Sequence, residues 1–225
     1  MIAGCVAPRK KILIYTMFYL VRTPWWLRRI YSSLIWRMPV GKQKILYLTF
    51  DDGPHPVATP FVLDQLRKYN ARATFFCIGK NVQGYPQLYT RVLMDGHRTG
   101  NHTQNHLHGW KTDDAIYLEN VRDAAVHIDT DLFRPPYGRI RFRQAALLRG
   151  APFFYKVIMW DVLSADFDVA LSAQQCADSV KRYGRPGSII VFHDSEKAFD
   201  RLREALPAVL DHFSRLGYKF ESLPL

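Results

Sequence analysis

Cysteine is scarce: Cys5, Cys77 and Cys176 are the three in 225 residues. An odd, scattered trio without a CxxC pair argues against a disulfide framework and against a thiolate metal site. Cys77 lies in an apolar run and Cys176 in a helical pattern, so both read as small buried hydrophobes. Acids are missing from the first 50 residues, where nine Lys and Arg fall. The rest of the chain carries 22 basic against 20 acidic residues, so the formal net charge of +11 belongs to the N-terminus. The longest early apolar run, residues 12–21, is too short to span a bilayer as a helix. It follows Arg9-Lys10-Lys11 as a signal core would, but no small-x-small cleavage site comes after it. Ile2-Ala3-Gly4-Cys5 resembles a lipoprotein box and is set aside, because no basic and apolar region precedes it. There is no repeat, no low-complexity tract and no linker after residue 41. The body also lacks a basic pattern interleaved with aromatics, so no nucleic-acid partner is expected.

What is there alternates. Thr23-Pro24 is a helix start, and Leu27, Ile30 and Leu34 mark one face after it, with Trp26 and Trp36 nearby. Arg28 and Arg29 point elsewhere, which is the pattern of a cationic interfacial helix. The favoured reading is a helix packed on the domain's own flank with solvated arginines; membrane-surface contact through residues 9–37 is the other. From residue 41 onward, helical patterns at 59–70, 86–95, 113–129 and 172–183 alternate with buried apolar runs at 73–78, 132–135, 154–160 and 188–192. A last apolar face runs from Leu202 to Leu216, where Pro207 either starts the helix or kinks it, and residues 218–223 suggest a final strand. Repeated βα units imply a mainly parallel sheet or barrel. The expected organisation is a basic extension, 1–40, followed by one α/β domain, 41–225.

Two stretches carry chemistry. Residues 45–56, ILYLTFDDGPHP, read as a buried strand that delivers Asp51 and Asp52 into a Gly-Pro turn. Carboxylates at such a strand end are costly unless paired or bound to a cation, although Asp-Gly and Gly-Pro are also ordinary turn signals. Residues 97–108, HRTGNHTQNHLH, hold four histidines. His102 and His106 are four apart and would share one face of a helical turn. His97 and His108 are off that spacing and read as surface or supporting residues. Two imidazoles and Asp52 supply the ligand count of a zinc-type catalytic site with an open position.

TFDDGPHP (49–56), HTQNH (102–106), RPPYG (134–138), the stretch 160–167 and IIVFHD (189–194) occur in the order of the five motifs of polysaccharide deacetylases. The chain thus resembles carbohydrate esterase family 4, the NodB-homology domain, over roughly residues 41–220. The resemblance implies an α/β fold of the distorted (β/α)7, TIM-like barrel type. It also implies site roles. Asp51 matches the general base, and Asp52, His102 and His106 match the metal ligands. Arg134 matches the partner of the base, and Tyr137 the residue whose backbone N–H binds the oxyanion. His193 matches the general acid and Asp166 the carboxylate that orients it. Pro136, Trp160, Leu163 and Phe167 fall in the substrate pocket. The physics is consistent: a dication polarises a carbonyl and acidifies water, while an adjacent carboxylate accepts the proton.

The fourth motif departs from the family. Leu163 stands where the family has Asp, and Phe167 where it has Trp, which puts the shape and polarity of the acyl pocket in doubt more than the reaction. Asp161 and Asp168 lie nearby as candidate compensating groups. The expected activity is a metal-dependent hydrolase that removes N-acetyl groups from a glycan such as peptidoglycan or chitooligosaccharide. Zinc is the expected ion, with cobalt or another divalent ion as substitute. The alternatives are hydrolysis of a non-sugar amide or imide on the same fold, and a catalytically silent glycan-binding homologue. A cytoplasmic or inner-membrane-associated location is favoured, with export to the envelope left open. Nothing in the sequence sets the oligomeric state.

Overall fold

A computed structural model describes residues 19–224. The lipoprotein-like box, Cys5 and most of the basic and apolar run at 9–21 lie outside the described residues. In chain order the elements are α1 (Trp25–Ile30), β1 (Ile45–Asp51), α2 (Ala58–Lys68), β2 (Thr74–Cys77), α3 (Gly79–Gly84), α4 (Pro86–Met94), β3 (Arg98–Asn101), α5 (Asp114–Ala125) and β4 (Leu132–Phe133). They continue with α6 (Phe142–Arg149), β5 (Lys156–Val157), β6 (Val162–Leu163), α7 (Ala173–Tyr183), β7 (Ile189–His193), α8 (Glu196–Arg215) and β8 (Lys219–Phe220). Seven parallel strands run in the order β5-β4-β3-β2-β1-β7-β6, and β8 adds to the start of β1. This is the distorted (β/α)7 barrel expected above, open between β5 and β6.

The strands form because their residues are apolar on both faces, as a parallel sheet covered by helices requires. Leu46, Leu48, Phe50, Phe75, Ile190 and Phe192 are fully buried against α2, α7 and α8. On the other face, Tyr47, Phe76, Leu132, Ile158 and Ile189 fill the barrel. Ser172 opens α7 with a capping box to Gln175, and Gly96 at φ 78° closes α4. Pro207 lies inside α8 without ending it. Among the described residues, no helix is long and apolar enough to cross a membrane.

Register places the chemistry. Asp51 is the Cα partner of His193, Cys77 of Asn101, and Asn101 of Phe133. Each pairing ends at the same rim, so the residues that follow β1, β3, β4 and β7 converge there, as they do at strand C-termini in α/β folds generally.

Residues 19–40 occupy the open seam. The N–H of Leu163 donates to Val21 O at 2.8 Å, Thr23 N–H to Asp161 O at 3.0 Å, Ile35 N–H to Val157 O at 3.0 Å and Met159 N–H to Ile35 O at 2.7 Å. The segment thus bonds to both free edges, which removes the hazard of unpaired strands. Helix α1 is only six residues long, and Thr23 does not cap it: its hydroxyl donates to Trp160 O at 2.6 Å. Leu27 and Tyr31 pack with Leu34 and Trp36 on the barrel flank, while Trp25 and Ile30 stay exposed.

Asp161 fastens this segment. Its carboxylate is fully buried and meets Arg28 at 3.5 Å, Arg37 at 3.3 Å and Arg185 at 3.5 Å, and it accepts from the Ser188 hydroxyl at 2.7 Å. The three arginines are partly exposed and would regain water if Asp161 were removed, whereas the buried Ser188 hydroxyl would lose its partner. Asp161→Ala is expected to lower unfolding stability by about 1–3 kcal/mol in denaturant titration; a change within about 0.5 kcal/mol, typical of surface positions, would contradict the role of this carboxylate.

Candidate active site

The end of β1 carries Asp51 and Asp52 in different directions. Asp52 adopts φ 81°, a conformation an L residue rarely holds without compensation. Asn81 fixes it by donating to the Asp52 carbonyl at 2.7 Å. The next residue must be glycine, since a Cβ on Gly53 would lie 2.1 Å from Asp194 Oδ2. Asp194 accepts from the Gly53 N–H at 3.1 Å and from the Thr59 hydroxyl at 2.5 Å, latching the turn to the end of β7. Burial pushes the pKa of Asp194 up to about 8, aided by the charge of Asp52 and opposed by the Thr59 hydrogen bond.

His102 and His106 do come together with Asp52, but not on a helix. They lie in a loop after β3, where Thr103 and His106 take φ 65° and 56°. Asn101 Oδ1 accepts from Thr103 N–H at 2.8 Å, and the Thr103 hydroxyl from Leu107 N–H at 3.2 Å. The spacing of four therefore serves a tight loop rather than a helical turn. One atom each of Asp52, His102 and His106 lies within 4.8 Å of the others. His106 Nε2 is 3.2 Å from Asp52 Oδ1, and His102 Nε2 is 3.7 Å from it.

These residues fit a cation. His102 Nδ1 is 2.8 Å from Arg134 O, and a carbonyl can only accept, so Nδ1 carries the proton and the Nε2 lone pair is free. Burial lowers the pKa of His102 to about 4, so the ring is neutral at neutral pH. Asp52 Oδ1 is buried with no well-directed hydrogen bond. Burial opposes its charge, but the closeness of His106, then His193 and His102, outweighs this and holds it below the usual carboxylate range. An ionised carboxylate oxygen and two imidazole nitrogens, otherwise unsatisfied, converge on one point.

Asp51 faces inward to Arg134, 2.6 Å from Oδ1 to the guanidinium. Arg134 is fully buried, and its other bonds go to the Thr49 hydroxyl at 2.7 Å, Ile158 O at 3.3 Å and Met159 O at 3.1 Å. It also stacks 4.0 Å from the Phe76 ring centre. Across the rim, His193 Nδ1 is 2.7 Å from Asp166 Oδ1, and the His193 N–H donates to Oδ2 at 2.8 Å. Burial works against a charge on His193, but Asp166, with Asp52 and Asp51, outweighs it and pushes the pKa up to about 9.

Tyr137 sits at φ 59° in a 3₁₀ turn, Pro136–Gly138, and its N–H has no acceptor among the described residues. Its ring lies 4.6 Å from His106 and 5.2 Å from His108. Pro136 is buried beneath it, and Trp160 packs so close that a Cβ on Gly138 would lie 2.4 Å from the indole. Leu163 is buried, and Phe167 meets the His193 ring edge-on at 5.1 Å.

Several expectations change. Asp161 and Asp168 do not compensate for Leu163: Asp161 binds Arg28 and Arg37 of the seam segment and Arg185 before β7, and Asp168 accepts from the Tyr19 hydroxyl at 2.7 Å. His97 is neither a surface nor a site residue. It is buried, and its Nδ1 accepts from Ala73 N–H at 3.2 Å. His108 stacks on Tyr137 in the supporting position expected for it. Sequence reasoning missed Asn81, which carries no motif, and gave Asp194 no task although it ends the fifth motif.

The polysaccharide deacetylase family model matches residues 39–153. The chain is similar to a peptidoglycan-N-acetylglucosamine deacetylase of Bacillus cereus, 35% identical over 191 residues, covering 82% of this chain and 88% of the relative. It is also similar to a chitooligosaccharide deacetylase of Bradyrhizobium, 30% identical over 203 residues, covering 82% and 91%. Among solved structures, that of the Bc1960 peptidoglycan N-acetylglucosamine deacetylase superposes with a TM-score of 0.80 at 28% identity, covering 90% of this chain and 95% of that one.

Separate directions for Asp51 and Asp52 predict separate effects on metal binding. In calorimetric titration of the metal-free chain with zinc, Asp52→Ala is expected to weaken binding by more than about 100-fold, beyond what the loss of a merely supporting group costs. Asp51→Asn is expected to leave it near the wild-type value, and equal losses in the two variants would contradict the assignment.

Proposed function

The chain belongs to the polysaccharide deacetylase family, and from that premise we propose that it is a metal-dependent N-deacetylase of glycans. It hydrolyses the acetamide of an N-acetylated sugar to acetate and a free amine. The substrates named for its relatives, peptidoglycan and chitooligosaccharides, are the classes assigned to it here. The observation that carries the reading is that three devices meet on one rim: the Asp52, His102 and His106 cluster, the Asp51–Arg134 pair and the His193–Asp166 pair.

Asp52, His102 and His106 would hold the ion, and two imidazoles with one carboxylate suit zinc, with cobalt as a working substitute. When bound, the ion supplies Lewis acidity for the scissile carbonyl and for water. The chain's own residues do the rest. Asp51, oriented by its 2.6 Å pairing with Arg134, takes the proton of the attacking water. The Tyr137 N–H, fixed by the diproline before it, donates to the oxygen on which charge develops. His193 enters protonated and gives its Nε2 proton to the departing nitrogen. Asp166 keeps the other ring nitrogen protonated and supports the charge. A silent glycan-binding homologue would be expected to lack one of these groups, and each is present.

Asp51→Asn is expected to lower kcat for acetate release by about 10²- to 10⁴-fold while zinc binding persists; full activity on an acetylated oligosaccharide would overturn the base assignment. A pH profile tests the acid. His193 must be protonated, so activity falls as pH rises through its pKa, and Asp166 is a main cause of that pKa being raised. Asp166→Asn therefore moves the alkaline limb of kcat to lower pH, and an unmoved limb would place the acid elsewhere.

A further inference from the structure

Beside the active site, over the seam, lies a cavity of about 370 Å³. Trp26, Tyr31 and Trp36 line it from the N-terminal segment, and Tyr137, Trp160 and Leu163 from the barrel. Tyr137 is shared between the cavity and the cation cluster, since its ring packs on His106. The segment that builds the outer wall precedes residue 39, where the family match begins. The cavity thus lies where this segment meets the catalytic body, whose Trp110, Tyr137 and Ile140 also line it.

Several lining residues turn their polar atoms away from the space, although Arg139 and the rings of Tyr31 and Tyr137 also border it. Trp36 Nε1 donates to Tyr31 O at 3.0 Å, Trp110 Nε1 to Ile140 O at 3.0 Å, the Thr23 hydroxyl to Trp160 O and the Tyr19 hydroxyl to Asp168. Leu163 closes the floor where an acid would have been polar. A sugar ring brought here would leave most of its hydroxyls without partners, each at a desolvation cost. A hydrocarbon chain would meet mainly aromatic and aliphatic walls, and the size is that of a small-ligand site.

We propose that this cavity is a subsite for an unbranched hydrocarbon chain carried by the substrate, so that the preferred substrate is more apolar than a simple N-acetylated oligosaccharide. This rests on the deacetylase reading above. Two attachments share this chemistry: a longer acyl group on the amide nitrogen, or an alkyl aglycone on an N-acetylated sugar.

The experiment measures binding by tryptophan fluorescence on the zinc-loaded full chain. One ligand series is N-acyl glucosamines from acetyl to hexanoyl, and the other alkyl N-acetylglucosaminides from methyl to hexyl. In one series Kd is expected to fall about fourfold per methylene until the cavity is filled, the effect of burying one CH₂ group; which series responds identifies the attachment. Trp26→Ala and Leu20→Ser, both at partly exposed lining positions, are expected to flatten that dependence. Flat dependence in both series, or a slope unchanged in both variants, overturns the proposal. Release of acid from the same ligands is then assayed. Chain-length-dependent binding without release leaves the subsite standing and overturns the deacetylase reading instead.

Discussion

One buried arginine ties the site together. Arg134 is wholly enclosed, and a guanidinium in such surroundings is tolerable only when its donors are used and its charge is met. Its bonds reach Asp51 and Thr49 on β1 and the carbonyls of Ile158 and Met159 beyond β5, so it spans the interior of the barrel. Its own carbonyl accepts from His102 Nδ1. The same residue thus aims the proton acceptor and sets the tautomer of a metal ligand. Because Asp51 is drawn inward to this charge, Asp52 alone is left to face the two histidines. The unusual backbone at Asp52 follows from that division: two successive residues of a regular strand would point to opposite faces, whereas here both must serve one rim.

A second constraint is the unclosed barrel. With β5 and β6 only two residues each, the sheet does not seal itself. Residues 19–40 fill the gap with backbone hydrogen bonds to both edges and are pinned by Asp161 through Arg28 and Arg37. The basic residues that dominate the net charge near the N-terminus thus include two with an internal electrostatic task. The same segment supplies the outer wall of the aromatic cavity, so closure of the fold and the shape of the substrate region are coupled.

The long, strongly patterned elements were legible. The buried runs that form β1, β2 and β7, and the helices α2, α4, α5, α7 and α8, follow from apolar periodicity. The five motifs also named the residues that the fold gathers at one rim. What was not legible depended on long-range geometry. Two-residue strands show no alternation, so β6 leaves no signal of its own and β5 reads as part of a longer run, 154–160. Helix α6 leaves Phe142 and Leu147 exposed, which blurs its amphipathic face, and the short α3 is bounded by glycines. The histidine spacing suggested a helical turn because a loop with left-handed residues at Thr103 and His106 leaves no trace in a spacing of four. Asp161 looked like a stand-in for a missing active-site acid because its arginine partners lie far away in sequence.

The central claim is that two adjacent aspartates have different jobs, Asp52 on the ion and Asp51 on the proton. Anomalous diffraction at the zinc edge from crystals of the zinc-loaded chain tests it most directly. The account predicts one peak about 2.0–2.2 Å from an Asp52 oxygen and from His102 and His106 Nε2, with Asp51 still paired to Arg134 and outside the coordination shell. A zinc held by Asp51, or a peak away from both histidines, would contradict it.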